Sequence, residues 1–255
     1  DHRKMKIERY LVPLLLIVIW QGLSSLGVIA GNLLPSPVHI LLGLKDLLVI
    51  GMPPGFLLPN HILHSLLRVG LGFALAALLG IPLGLLIGWS GRIRIMVSPV
   101  IEMIRPIPPL AWIPIAILWF GIGMKSAAFI IFLGAFFPIV LNTISGALSI
   151  NPIFFEAMRT LNATPADIFF KVVVPGSIPS IFVGLRIGVG IGWMTLVAAE
   201  FTGVKSGYGL GYMIMTARDI QRPDEIIAGM LVIGVIGLLI NHLLKILEKK
   251  IIRWQ

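Results

Sequence analysis

Apolar positions run through this chain in long blocks instead of alternating with the period of a strand. Residues 11–30 carry no charge, and neither do Val69 to Gly91, a stretch bracketed by Arg68 and Arg92. Pro106 to Met124 lies between Arg105 and Lys125, Ala127 to Leu148 follows, and Gly176 to Ala199 and Ile226 to Leu244 complete the set. A bilayer crossing takes about 20 apolar residues in a helix, so the pattern predicts an all-α, polytopic membrane protein with about six transmembrane helices. Leu33 to Ile50 is broken by Pro35 and Pro37 and interrupted by Lys45-Asp46, and reads as a loop plus an interfacial helix. The first half of the third block holds Pro106, Pro108, Pro109 and Pro114. It is predicted not to be a regular helix throughout, which at membrane depth requires burial in protein or a cavity wall. The fourth block carries Pro138, a predicted kink. The second block is rich in Gly and Ala, which let helices approach closely in lipid.

One stretch breaks the pattern. Asn151 to Pro175, NPIFFEAMRTLNATPADIFFKVVVP, reads as two short capped helices. Asn151 is the N-cap of the first, with Pro152 at the first helical position. Ile153, Phe154, Ala157, Met158 and Leu161 share a face, with Glu156 and Arg159 toward the other side. Asn162 falls where the helix should stop, and Asn tolerates the left-handed cap conformation. Thr164-Pro165-Ala166-Asp167 restarts the chain as a capping box with Asp for Glu, and Pro175 is predicted to end the second helix.

Composition agrees with a membrane protein: 57% hydrophobic and 12% charged residues, with a mean hydropathy of +1.00, against roughly 25% charged for a soluble domain. No cysteine is present, so there is no disulfide framework. The run after DHRKMKIERY continues to Ile29 without a clear cleavage site and is long enough to span, which argues against a signal peptide. The net charge is +9, but it is split among short loops. That distribution fits topology better than nucleic-acid binding, so no nucleic acid is expected as a partner. With six spans both termini share one side. That side holds Arg3, Lys4, Lys6, Arg9, Arg92, Arg94, Arg159, Lys171 and the basic C-terminal residues Lys245, Lys249, Lys250 and Arg253. The other holds Lys45, Lys125, Lys205, Arg218 and Arg222, offset by Asp46, Asp219, Asp224 and Glu225. The excess puts both termini and the 151–175 loop in the cytoplasm.

EAMRTLN followed by VVVP resembles the EAA loop of ABC-importer permeases, with Met158 for the second Ala and Asn162 for the Gly. The segments RPIPPLAWIPIAILWFGIG, GAFFPIVLNTISG and GLRIGVGIGWMTLVAAEF are similar to the permease subfamily for nitrate, sulfonate, taurine and bicarbonate. The resemblance covers residues 60–255, the permease core, and leaves 1–59 as an N-terminal helix and interfacial segment. It implies a type I ABC importer permease fold in a prokaryotic cytoplasmic (inner) membrane. It also implies that the EAA-like loop docks on a separate ATPase subunit, with Glu156, Ala157, Arg159 and Asn162 at the contact. The implied partners are ABC ATPase subunits, a second permease copy, an extracytoplasmic substrate-binding protein and membrane lipid. No segment matches the phosphate-cradling G-x-x-x-x-G-K-[ST] loop. ATP and Mg are therefore expected on the partner, with no cofactor, metal or catalytic residue on this chain.

Three charges are candidates for the translocation path. Arg186 stands about ten residues into its span, where a lipid-facing charge costs several kcal/mol, so it should line a path for an anion or pair with a carboxylate or with carbonyls. Arg105 and Glu200 lie near opposite ends of their spans and are read as path, gate or packing residues. His61 and His64 are spaced to share a helix face but lack a visible third ligand. Asp219, Arg222, Asp224 and Glu225 make a charged outer loop, either solvated or in contact with a binding protein, and Ser206 to Gly211 is a Gly-rich turn or re-entrant stretch. An ion-gradient-driven secondary transporter or channel is the alternative. It would need carboxylates at mid-membrane, and Glu200 is the only acidic residue near a span interior.

Overall fold

The computed structural model describes the backbone of residues 2–202 and 206–252, with side chains from residue 11 onward. Lys205, Arg253 and the side chains of Arg3, Lys4, Lys6 and Arg9 lie outside the described residues. Everything described is helix, turn or irregular. The order is α1 (His2–Ser25), α2 (Pro37–Val49), α3 (Leu58–Trp89), α4 (Gly91–Ile104), a 3-10 turn (Pro109–Trp112), α5 (Ile113–Phe120), α6 (Met124–Leu148), α7 (Pro152–Thr160), α8 (Pro165–Ile168), a π turn (Phe169–Val173), α9 (Val174–Phe201), α10 (Leu210–Asp219) and α11 (Pro223–Ile251).

By length and composition four described helices can cross a membrane: α3, α6, α8–α9 taken as one run, and α11. The pair α4 and Pro109–Phe120, bent by 82°, makes a fifth if it counts as one broken span, and α1 adds a shorter apolar helix. The break falls at Arg105 to Pro108, in the proline-rich stretch, as the sequence predicts.

One sequence expectation is corrected, and two helices appear where the sequence pattern assigned none. Pro175 does not end the second short helix. The chain passes from α8 through the π turn into α9, with Pro175 in the first turn of α9. The wide π turn supplies the slack that lets a residue without an N–H continue the run. The segment after Ser90 forms α4, capped by the Ser90 hydroxyl, which accepts from Ile93 N at 3.4 Å. The Gly-rich stretch before Leu210 leads into the additional helix α10.

The chain falls into two compact units: residues 1–63 with 207–235, and residues 64–206 with 236–255. In the first, α2 begins on a Ser36 cap. His61 is fully buried; one ring nitrogen lies 3.1 Å from the Phe56 carbonyl oxygen and the other within 3.0 Å of the Gly209 backbone. A side chain so committed to backbone groups acts as a structural tie. In the second unit α6 and α9 pack along most of their length. Small residues make this possible. A Cβ on Gly146 would stand 2.6 Å from the Ser180 Cβ, and one on Gly84 of α3 would stand 2.6 Å from the Thr143 Cβ. Without a hydrophobic drive between helices in lipid, such close approach is a main source of attraction. The buried residues Ala76, Ala135 and Ile139, and beside them Ile87, Ile101 and Val140, fill the space between α3, α4, α6 and α9.

Candidate functional site

The α6–α9 pair has two ends, and each carries polar chemistry. At one end the chain leaves α6 and enters the 151–173 loop. The Asn151 side chain accepts from Ile153 N at 3.0 Å, as its cap role requires. Asn162 adopts φ 54, the left-handed conformation predicted for it. The Thr164–Asp167 capping box forms in both directions. Lys171 then pairs with Asp167 at 2.6 Å. The loop is anchored by aromatic rings: Trp89 stacks on Phe155 with centroids 6.2 Å apart and meets Phe169 edge-on at 6.0 Å. Phe155 thus faces the bundle while Ile153, Phe154 and Leu161 stay exposed. Glu156, Ala157, Arg159 and Asn162 are exposed as well, so the structure presents all four loop residues on the surface.

At the opposite end of the pair, Glu200 near the C-terminus of α9 is fully buried. It accepts from Arg68 Nη1 at 2.6 Å and from the Ser65 hydroxyl at 2.8 and 3.0 Å. Arg68 is 2% exposed and also donates to the Ser206 hydroxyl at 3.3 Å. A charge pair this deep holds together only because each partner is hydrogen-bonded. Glu200 therefore sits in a closed polar knot instead of an open path.

Arg186 forms an ion pair with Glu248 at 2.6 Å, tying α9 to the far part of α11. Arg105 is different. It is exposed and lines a cavity of about 400 Å3 together with Gly134, Pro138 and Asn142 of α6 and Ile187 and Ile191 of α9. The Asn142 amide donates to the Pro138 carbonyl at 2.8 Å, which fixes its position at the cavity wall. The three candidate path residues are thus not brought together. Each belongs to a separate feature, and Arg105 is the one with an open cavity in front of it.

In the first unit, Arg222 gathers Asp224 at 2.8 Å, Asp46 at 2.9 Å and Glu225 at 2.9 Å. The hydrogen bonds that Arg222 donates to Asp224, and then to Asp46, raise the guanidinium pKa above its already high ordinary value. What reads in sequence as a charged loop is a folded knot that fastens α2 to the start of α11.

Sequence reasoning missed Ser65, Arg68, Asn142 and Glu248. Arg68 appears in the sequence only as the edge of a hydrophobic block. The available signal was its place within a continuous helical pattern, since a charge inside a long apolar helix needs a partner.

Residues 80–254 match the family model described as "Binding-protein-dependent transport system inner membrane component". The chain is 43% identical to a putative ABC transporter permease of Methanocaldococcus jannaschii, across 96% of this chain and 90% of that one. It is 38% identical to the putative aliphatic sulfonates transport permease of Bacillus subtilis, across 96% and 86%. It is 37% identical to the taurine transport system permease of Escherichia coli, across 94% and 86%. Among solved structures, the MetNI methionine ABC transporter in inward-facing conformations shares the fold, with a TM-score of 0.59 at 22% identity over 76% of this chain and 92% of that one. These likenesses and the helical architecture agree, and the chain belongs to the family of inner-membrane components of binding-protein-dependent transport systems, as the transmembrane permease subunit of an ABC importer.

Proposed function

We propose that this permease imports a small oxyanion and receives its ATPase on the 151–168 loop. The observation that carries the docking is the exposed surface of α7: Ile153, Phe154 and Leu161 are all more than half exposed, next to Glu156 and Arg159. An amphipathic helix with an uncovered apolar side suits the groove of a partner. Glu156 and Ala157 make the contact, Arg159 flanks it, and Asn162 sets the turn. ATP and Mg act on the partner ATPase, and this chain contributes no nucleotide site. The loop and both termini lie in the cytoplasm, in keeping with the Lys and Arg distribution. A second copy completes the pore, and an extracytoplasmic binding protein delivers the substrate.

The anion class rests on the Arg105 cavity and on analogy. Relatives of this chain are named as permeases for aliphatic sulfonates, taurine, nitrate and bicarbonate. A cavity of about 400 Å3 with the Arg105 guanidinium, which has no ion pair among the described residues, and the Asn142 amide suits a small anion of that kind. Arg186 and Glu200 act beside that path as ties, through Glu248 and Arg68.

The test is purification of a tagged chain from membranes, with partner identification and ATP-dependent uptake of labelled taurine, nitrate and bicarbonate in vesicles. Wild type should retain an ATPase and import at least one of these anions. Glu156→Lys should lose the ATPase, or its coupling, while remaining folded. Transport that persists without ATP would overturn the proposal.

A further inference from the structure

Beside the Arg68–Glu200 knot lies a cavity of about 340 Å3, separate from the one at Arg105. His64, Arg68, Phe120, Gly123, Lys125 and Ser206 contribute to its wall. Its local charge is positive. The Arg68 charge is matched by Glu200, whereas Lys125 is exposed and has no ion pair among the described residues.

Two further features favour a negative guest. The 25-residue α6 starts here, and its N-cap position, Gly123, supplies no side-chain cap. The first-turn N–H groups of such a helix lack intrahelical acceptors and carry the positive end of the dipole. Independently, Arg68 carries a buried Nε–H with no hydrogen-bond partner among the described residues, on a side chain that is 2% exposed. A buried donor left open is costly unless a ligand or water meets it.

We propose that this cavity is an oxyanion-binding subsite. It takes a sulfonate, carboxylate or nitrate group against Lys125 and the first turn of α6, backed by the guanidinium of Arg68, which Glu200 and Ser206 hold in place. The space is near the lower bound for ligand pockets, which restricts the guest to a few heavy atoms. The subsite lies at the start of α6 and the end of α9, and the 151–173 loop joins the opposite ends of the same helices. Under the importer reading, on which this part rests, it is where an anion first enters from the outer side. The positive cluster steers the anion there before it meets the deeper Arg105 cavity.

The test uses the assembled permease–ATPase complex in nanodiscs without ATP. Methanesulfonate and nitrate are titrated calorimetrically against chloride at fixed ionic strength. Discs of phosphatidylcholine alone are compared with discs containing phosphatidylglycerol, because a lipid phosphate offers the same chemistry. Saturable binding of methanesulfonate or nitrate is expected in the phosphatidylcholine discs. Lys125→Gln should weaken it by about tenfold or more, and Lys125→Glu should abolish it. Lys45→Gln, an exposed lysine elsewhere, should leave it unchanged. Equal melting temperatures of the variants keep folding out of the comparison. Absence of saturable binding, or wild-type affinity in Lys125→Gln, overturns the subsite. So does phosphatidylglycerol retention that depends on Lys125 without any binding of the free anions. ATP-driven uptake measured in parallel separates the two claims. Uptake without binding removes only the subsite, while binding without ATP-driven uptake removes the oxyanion-import reading and leaves the subsite standing.

Discussion

Where α6 turns into α9 through Asn151 to Val173, an ion pair and the side-chain caps join residues at most four apart: Asn151 to Ile153, Thr164 to Asp167, Lys171 to Asp167. At the other end of the same helices, Arg68 and Glu200 are 132 residues apart and almost wholly buried. The first end is held by its own caps and by Trp89, and it leaves Glu156 and three large apolar side chains uncovered. The second is held by α3 and α9 together. Local capping fixes a shape that can be carried as a unit by a partner, while a long-range buried pair fixes the distance between two spans. The loop end can therefore change sequence without unfolding the bundle, and the knot end cannot.

The largest effect expected from that contrast is at the knot. Arg68→Ala leaves Glu200 buried without its charged partner and should cost about 3–5 kcal/mol. Glu200→Ala should cost a similar amount, and both should appear as a loss of thermal stability in detergent. The double replacement Arg68→Met with Glu200→Leu should regain most of the loss, because well-packed apolar residues often replace a buried pair without penalty. A double variant no better than the singles would show that Ser65 and Ser206, and not the charge pair, carry the cluster.

The packing between these ends gives a smaller and sharper test. A side chain at Gly84 would meet the Thr143 Cβ at 2.6 Å and the Val140 carbonyl oxygen at 2.9 Å, and the backbone atom cannot move aside. Gly84→Val should therefore destabilise by about 1–3 kcal/mol as overpacking. At Gly190 of α9 nothing lies within 4 Å of where a Cβ would stand. Gly190→Ala should be neutral or stabilise by up to about 1 kcal/mol through helix propensity. Melting curves of the pair tell close approach apart from a general intolerance of glycine replacement.

The same division governs what could be read from the sequence. Spans, the broken proline segment, the caps at Asn151 and Thr164 and the left-handed Asn162 are written in neighbouring residues, and periodicity or turn chemistry reports them. Helix α4 was hidden because Arg92 and Arg94 look like loop charges, although Ser90 caps the helix. The partners of Arg186 and Glu200, and the Asp46 partner of Arg222, lie far along the chain, and no local pattern encodes which distant side chain a charge will meet. The loop aromatics show both sides of this. Ile153, Phe154 and Phe155 are equally apolar in sequence, and only the position of Trp89 decides that Phe155 turns inward.

The smallest effect, and the most discriminating, concerns Asn162. Its φ of 54 turns the chain between α7 and α8, with its N–H donating to the Arg159 carbonyl at 3.0 Å and the Ala163 N–H to the Met158 carbonyl at 3.1 Å. Glycine reaches this conformation freely, so Asn162→Gly should retain wild-type melting and ATPase coupling. Asn162→Val places a β-branched residue in the left-handed region, at about 1–2 kcal/mol. Because the turn is exposed and locally held, that strain should be relieved by re-aiming α7, not by opening the α6–α9 pair. The Val variant should thus keep its melting temperature and lose substrate-stimulated ATPase activity, the reverse of Arg68→Ala at equal temperature. Melting lowered as far as in Arg68→Ala would mean that the loop is structurally continuous with the bundle, and the contrast between the two ends would fall.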